Sequence, residues 1–256
     1  MIRFLTQITV FFLLGTSVTA QQIRTVERDE IEVHLTGLED FDTLTPSALP
    51  GNSYARRLAF PGLKIGSHFD GQTAFINRAP LKRWGASQGP ARSPLKVPQK
   101  TMLSRLNVIA DADESTFLAS SIQLDLRSAH GLRQYIAPLA YPNLQRRIMV
   151  GYGPMAVSFK DTQFAFGFSL VLVKSLVPKQ PKVKLEFYAK DGSTIGEPML
   201  LETFGEYTFL ETSFDRVVSG FSLENIGDVP VGIDDIVFET PLMLGRLGGP
   251  LHSYLK

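Results

Sequence analysis

Residues 183–192, Val-Lys-Leu-Glu-Phe-Tyr-Ala-Lys-Asp-Gly, decide the fold class. Val183, Leu185 and Phe187 alternate with Lys184, Glu186 and Tyr188, the two-residue period of a strand with one apolar and one polar face. Asp191-Gly192 then signals a tight turn, because glycine accepts the positive φ that a two-residue hairpin requires. Outward from here, residues 164–173 (FAFGFSLVLV), 204–211, 217–224 and 232–239 (GIDDIVFE) repeat the strand signal, with Gly, Pro or Asn near most joins. No long helical pattern intervenes. Short strands at this spacing predict an all-β, antiparallel sandwich or barrel. Gly167-Phe168-Ser169-Leu170 and Gly220-Phe221-Ser222-Leu223 echo one another, as two strands in similar core surroundings would.

The N-terminal half reads as strand-like but less regular. Residues 30–36 (EIEVHLT) alternate, residues 54–68 hold two extended pieces broken by Pro61-Gly62, and residues 118–126 form another plausible strand. Residues 128–136 (SAHGLRQYI) predict a short helix weakened by Gly131. Residues 78–100 carry six basic residues, four prolines, no acid and the lone Trp84. Proline at that density withholds ladder donors, so this stretch is expected to be a surface loop. No composition break divides the chain. The expectation is one domain over residues 21–256, with its core at about 31–239 and an insertion with loops and a short helix at about 101–150.

The first twenty residues read as a signal peptide. Arg3 is the only charge before Arg24, residues 8–14 (ITVFFLL) are apolar, and Val18 and Ala20 fit a small-residue cleavage site. The apolar run is shorter than a spanning helix needs, and no second long one follows, so no membrane span is expected in the mature protein. The reading is export, to the periplasm or beyond the cell. The 256 residues contain no cysteine, which excludes disulfides, thiolate metal sites and cysteine nucleophiles. With 44% hydrophobic residues and a formal net charge of +1, the chain can bury a sizeable core but offers no global charge for nucleic acid.

Motifs for common chemistries are missing. No nucleophile elbow, HExxH, P-loop or dinucleotide fingerprint occurs. His34, His68, His130 and His252 have no metal-ligand spacing, and residues 111–115 begin like a calcium loop but lack its later Gly and Glu. One acidic pair stands out. Asp234 and Asp235 interrupt an apolar strand, where alternation sends them to opposite faces unless the strand is bulged. A buried carboxylate there needs an Arg, backbone donors or a cation. Glu39, Asp40 and Asp42 form a second acidic cluster at an expected strand exit.

Four pieces of sequence resemble the galactose-binding-like jelly rolls of carbohydrate-binding modules and of exported bacterial proteins, including those with PEP-CTERM tails. They are Asp40-Phe41-Asp42-Thr43-Leu44 with the loop to Tyr54; Ala86-Ser87-Gln88-Gly89-Pro90; Phe166-Gly167-Phe168 with the later Phe187-Tyr188-x-x-Asp191-Gly192; and Gly232-Ile233-Asp234-Asp235-Ile236-Val237-Phe238. Two departures stand beside them: residues 101–150 look inserted, and no PEP-CTERM tail follows Phe238. The resemblance implies that the first and last strands lie together and that their carboxylates hold a structural Ca²⁺, with Asp42 and Asp234 as ligands and Glu39, Asp40 and Asp235 in reserve.

The resemblance also implies a non-catalytic module binding a glycan or a cell-surface or matrix component. Sugars stack on exposed aromatics, and Trp84, Tyr135, Tyr141 and Tyr152 stand in loop-like contexts; Arg83 and Arg133 suit acidic sugars. A structural or adhesion protein of the envelope is the second reading. The third is a polysaccharide lyase using His130, Tyr135 and Arg133, which no motif supports.

Overall fold

The computed structural model describes residues 23–41, 52–54, 57–70, 72, 75–77, 92–94, 106, 108, 116–124, 132–140, 149–173, 180–212 and 217–240. Their architecture is an antiparallel β-sandwich, as expected. The larger sheet contains β1 (Ile23–Val26), β2 (Gly37–Glu39), β3 (Asn52–Tyr54), β8 (Thr116–Leu124), β9 (Leu132–Ala140), β10 (Met149–Val150), β12 (Ala165–Leu172), β15 (Gly205–Glu211) and β17 (Val231–Phe238). Its order is β1-β15-β12-β17-β9-β8-β3, with β2 also on β17 and β10 also on β9. The smaller sheet has β4 (Arg57–Ala59), β5 (Leu63–Gly66), β11 (Pro154–Gln163), β13 (Val183–Tyr188), β14 (Thr194–Leu201) and β16 (Val218–Asn225) in the order β14-β13-β16-β11-β5-β4. A separate pair joins β6 (Phe75–Asn77) to β7 (Arg92–Pro94).

Alternation explains how the sheets close. Phe166, Phe168 and Leu170 of β12, Phe209 of β15 and Ile233 of β17 meet Val183, Leu185 and Phe187 of β13 and Phe221 and Leu223 of β16 in one buried cluster. Phenylalanine dominates it. Phe166 contacts Phe159, Phe187, Phe209 and Phe221 with ring centroids 5.3–5.8 Å apart. Large rings at the close spacing of packed sheets fill the interlayer without cysteine cross-links, each buried side chain contributing about 1.5–3 kcal/mol.

Two sequence expectations give way. Residues 30–36 do not form a strand: a short α-helix, α1 (Arg28–Ile31), runs into a 3₁₀ turn (Glu32–His34), and only Ile31 of the turn pair is buried. Its packing partners are Val26, Phe164, Ala165 and Leu210, so a single apolar anchor outweighs the alternation. Residues 132–136 form no helix, because β9 pairs along its full length with β8 and touches β17 through Ile136 opposite Ile233. Cross-strand pairing overrides weak local preference there. The stretch expected as an insertion thus supplies two nine-residue strands to the larger sheet. That sheet also begins before residue 31, at β1, which pairs with β15. Of the basic, proline-rich residues 78–100, only Arg92–Pro94 is described, and it is paired as β7. Among the described residues, no helix is long and apolar enough to cross a membrane.

Candidate functional site

The two acidic segments meet. β2 runs antiparallel to β17 with Glu39 opposite Ile236, Leu38 opposite Val237 and Gly37 opposite Phe238. Strand β17 is bulged where the acidic pair sits: its register on β12 slips between Gly167 and Ser169, and Asp235 takes φ 48°. The slip leaves Asp234 opposite Ser169, buried, with its Oδ1 accepting the Asp235 N–H at 2.9 Å. Across the seam, Phe41 has φ 60° and is fully buried, and its N–H donates to Glu39 Oε1 at 3.3 Å. Burial raises the Glu39 carboxyl above its ordinary value and the Asp40 charge adds to this, while the Phe41 N–H opposes it.

Among the described residues no three His, Cys, Asp or Glu side chains gather closely enough to hold a metal ion. Asp42, expected with Asp234 as a ligand, lies outside the described residues, as do residues 111–115.

Of the residues expected to form a sugar platform, only some are described. Trp84, Arg83, Tyr141 and His130 lie outside the described residues, and Arg133 is placed only by its backbone in β9. Tyr135 is not in a loop. It sits in β9 with 2% of its surface exposed, packed so closely over Gly232 that a Cβ on that glycine would come within 2.9 Å of its Cδ2. A ring buried in this way offers no face to a sugar. Tyr152 follows Gly151, whose N–H donates to Pro138 O at 2.6 Å and whose carbonyl accepts the Val231 N–H at 3.0 Å; the tyrosine is half-buried.

A different constellation lies on the outer face of the smaller sheet. Register places Lys184 opposite Glu224, Glu186 opposite Ser222 and Tyr188 opposite Gly220 on β13 and β16. Lys184 Nζ stands 3.3 Å from Glu186 Oε1 and 3.2 Å from Glu224 Oε2. Behind this ion cluster, Tyr188 donates its hydroxyl proton to Glu186 Oε2 at 3.0 Å and lies 3.1 Å from Ser222 Oγ. Gln72 Nε2 reaches both the Tyr188 and Ser222 oxygens at 3.0 Å. Phe69, in the segment that follows β5, closes the row, its ring edge-on to Tyr188 at 5.2 Å. Burial, aided by the two neighbouring glutamates, pushes the Tyr188 hydroxyl well above the usual tyrosine range, so it remains a proton donor at neutral pH.

The row grades from interior to surface. Tyr188 and Ser222 are buried, Glu224 nearly so, while the side chains of Lys184 and Glu186 are 35% and 23% exposed. The signal for it was on view in Lys184-x-Glu186-x-Tyr188 and Ser222-x-Glu224. What no single segment shows is that two strands about forty residues apart are neighbours. Chemically, the arrangement offers an ammonium donor and carboxylate acceptors side by side on a rigid backing. Compared with protein-family models, with curated proteins and with solved structures, the chain matches none.

Proposed function

We propose that this chain is an exported, non-catalytic binding module of galactose-binding-like, jelly-roll type, whose ligand is a glycan or a glycan-bearing component of a cell surface or matrix. The observation that carries the reading is the Lys184–Glu186–Glu224 cluster, a polar array on an outer sheet face in which Lys184 and Glu186 are partly exposed and which the aromatic core between the sheets does not need. Sugar hydroxyls are bound by groups of this kind, placed in advance on a stiff scaffold. The support for export is the pattern of residues 1–20, with Arg3, the apolar run 8–14 and the small residues Val18 and Ala20.

The burial of Tyr135 favours adhesion over sugar stacking at that position, and it takes Tyr135 away from the lyase alternative. Calcium belongs to the proposal only through Asp42, which would have to join Glu39 and Asp234 with further oxygen ligands. Melting temperatures in Ca²⁺ and in EDTA, for the wild type and Asp42→Ala, decide that point: a calcium-dependent rise lost in the variant supports it, and no rise removes it. The function itself is tested by presenting the purified protein to an array of neutral and acidic glycans. Saturable binding to one class supports the module, and absence of binding across the array overturns it.

A further inference from the structure

We infer that residues 67–70 and Gln72 form a strap over the outer face of the smaller sheet, and that proton uptake by His68 releases the strap at mildly acid pH while the sandwich beneath stays folded. The strap leaves the end of β5 and reaches over three strands. Phe69 is fully buried, packed with Ala156 of β11 and edge-on to Tyr188 of β13 at 5.2 Å. Gly220 of β16 lies under the same ring, where a Cβ would come within 3.1 Å of Phe69 Cζ. Gln72 is the clasp. Its Nε2 donates to Tyr188 Oη and to Ser222 Oγ at 3.0 Å each, and its Oε1 accepts the Phe69 N–H at 3.1 Å. One amide thus folds the strap on itself and ties it to two strands.

The hold is local. Among the described residues it consists of the Phe69 ring, the Gln72 amide and an isolated bridge from Phe69 to Val108. Strands β11, β13 and β16 beneath are each paired on both sides. A segment with so few ties can open at far lower cost than the sheet it covers. His68 sits inside that segment, 4% exposed, with Nδ1 and Ser67 Oγ 2.7 Å apart. Charged side chains on the elements around the strap are Lys184 and Glu186 of β13, Glu224 of β16, Lys160 and Asp161 of β11, Lys64 of β5 and Arg57 of β4. The charge that bears on the ring is that of Asp70, and it offsets only part of the cost of burying an imidazolium. An open strap gives the ring to water, where it binds a proton more tightly than in the closed one. Lower pH therefore favours opening, and the closed form is regained above the ordinary histidine value.

Hydrogen exchange of the full-length protein at pH 7.5 and pH 5.5, corrected for the intrinsic pH dependence of amide exchange, tests the strap. At pH 5.5 the amides of Phe69 and Gln72 should exchange faster by up to about tenfold, the most that one proton with an ordinary value of 6.5 gives over that interval, while those of β16 keep their protection. His68→Asn should show no such acid-induced rise, and Gln72→Ala should raise strap exchange at both pH values and keep the acid dependence. Melting curves establish that each variant is folded. Equal strap protection at the two pH values in the wild type, or the same acid-induced rise in His68→Asn, overturns the switch. Loss of β16 protection in step with the strap also overturns it, because the opening is then that of the whole sandwich. Wild-type strap exchange in Gln72→Ala removes the clasp. An NMR titration of the His68 ring in the wild type needs no substitution: a transition below 6.5 that coincides with faster strap exchange supports the switch, and a ring that titrates while strap exchange stays constant overturns it.

Discussion

Phe168 of β12 and Phe221 of β16 stack across the sandwich, ring centroids 5.1 Å apart and planes 17° from parallel. They occupy the same place in the two Gly-Phe-Ser-Leu echoes, so the repetition marks matching positions on facing sheets. In each copy Phe and Leu belong to the central core cluster. Phe221 also stacks on Phe166 at 5.7 Å and 12°. Replacing Phe221 with Ala removes a ring shared by both layers and is expected to cost about 3–5 kcal/mol, with Phe221→Leu costing less. Urea titration of both variants checks the order. A double-mutant cycle with Phe168→Leu should show a coupling of about 0.5–1.5 kcal/mol.

Tyr135 is expected to behave as a packing residue. Its neighbour Gly232 has no room for a Cβ, which would fall 2.9 Å from both the Tyr135 ring and the Ile136 carbonyl oxygen. Gly232→Ala should therefore destabilise by about 1–3 kcal/mol, because the backbone oxygen cannot yield as a side-chain tip can. Tyr135→Ala should lower the melting temperature too, while any glycan binding by the folded fraction stays at wild-type affinity. A variant with wild-type stability and lost binding would return Tyr135 to the ligand site.

The parts of this fold legible in sequence are those where one face alone decides. Val183, Leu185 and Phe187 had to face the core, and the strands of residues 164–173, 204–211, 217–224 and 232–239 follow within a residue or two. The Asp234-Asp235 bulge was legible as a conflict, since an unbroken strand cannot send both carboxylates to water. The errors share a cause. Residues 30–36 and 128–136 carry weak local signals, and their outcome is set by distant partners, Phe164 and Leu210 for Ile31, and β8 and β17 for β9. The Lys184–Glu224 pairing was hidden for the same reason, for strand adjacency within a sheet is not a local property.

Asn225 should be intolerant of the smallest chemical change. Its buried amide nitrogen donates to Gly151 O at 2.8 Å and to Val229 O at 2.6 Å, and its oxygen accepts the Gly227 N–H at 3.0 Å. One side chain thus ties the turn after β16 to the start of β11. Asn225→Asp keeps the shape, removes both donors and sets a carboxylate against two carbonyl oxygens. The expected loss is about 3–5 kcal/mol at neutral pH, easing as the pH falls and the new carboxyl takes up a proton. Asn225→Ala should cost less at neutral pH, about 1–3 kcal/mol, from the polar groups left unpaired. If the two variants melt together at pH 7, the carboxylate meets no repulsion from the Gly151 and Val229 oxygens, and if both melt with the wild type, the donor pair is not what holds the turn.

His68 makes the chain acid-sensitive in a predictable direction. It is buried at 4% exposure beside Phe69, with its Nδ1 and Ser67 Oγ 2.7 Å apart. Burial lowers the ring below the ordinary histidine value of 6.5, and the Asp70 charge only partly offsets this. The unfolded chain therefore binds the proton more tightly than the folded one, so stability rises with pH through the interval between the two values. The contribution of neutral His68 is complete above pH 6.5 and is lost as the pH falls through the folded value. Each pH unit of separation is worth about 1.4 kcal/mol. Protonation also has a structural route outward, because the segment that carries His68 and Phe69 holds the Tyr188 ring and, through Gln72, its hydroxyl. The wild type should lose more melting temperature between pH 7.5 and pH 5.5 than His68→Asn, which cannot take up the proton. Equal slopes for the two proteins would show that His68 titrates alike in the folded and unfolded chains, and that the burial of its ring does not govern the acid response.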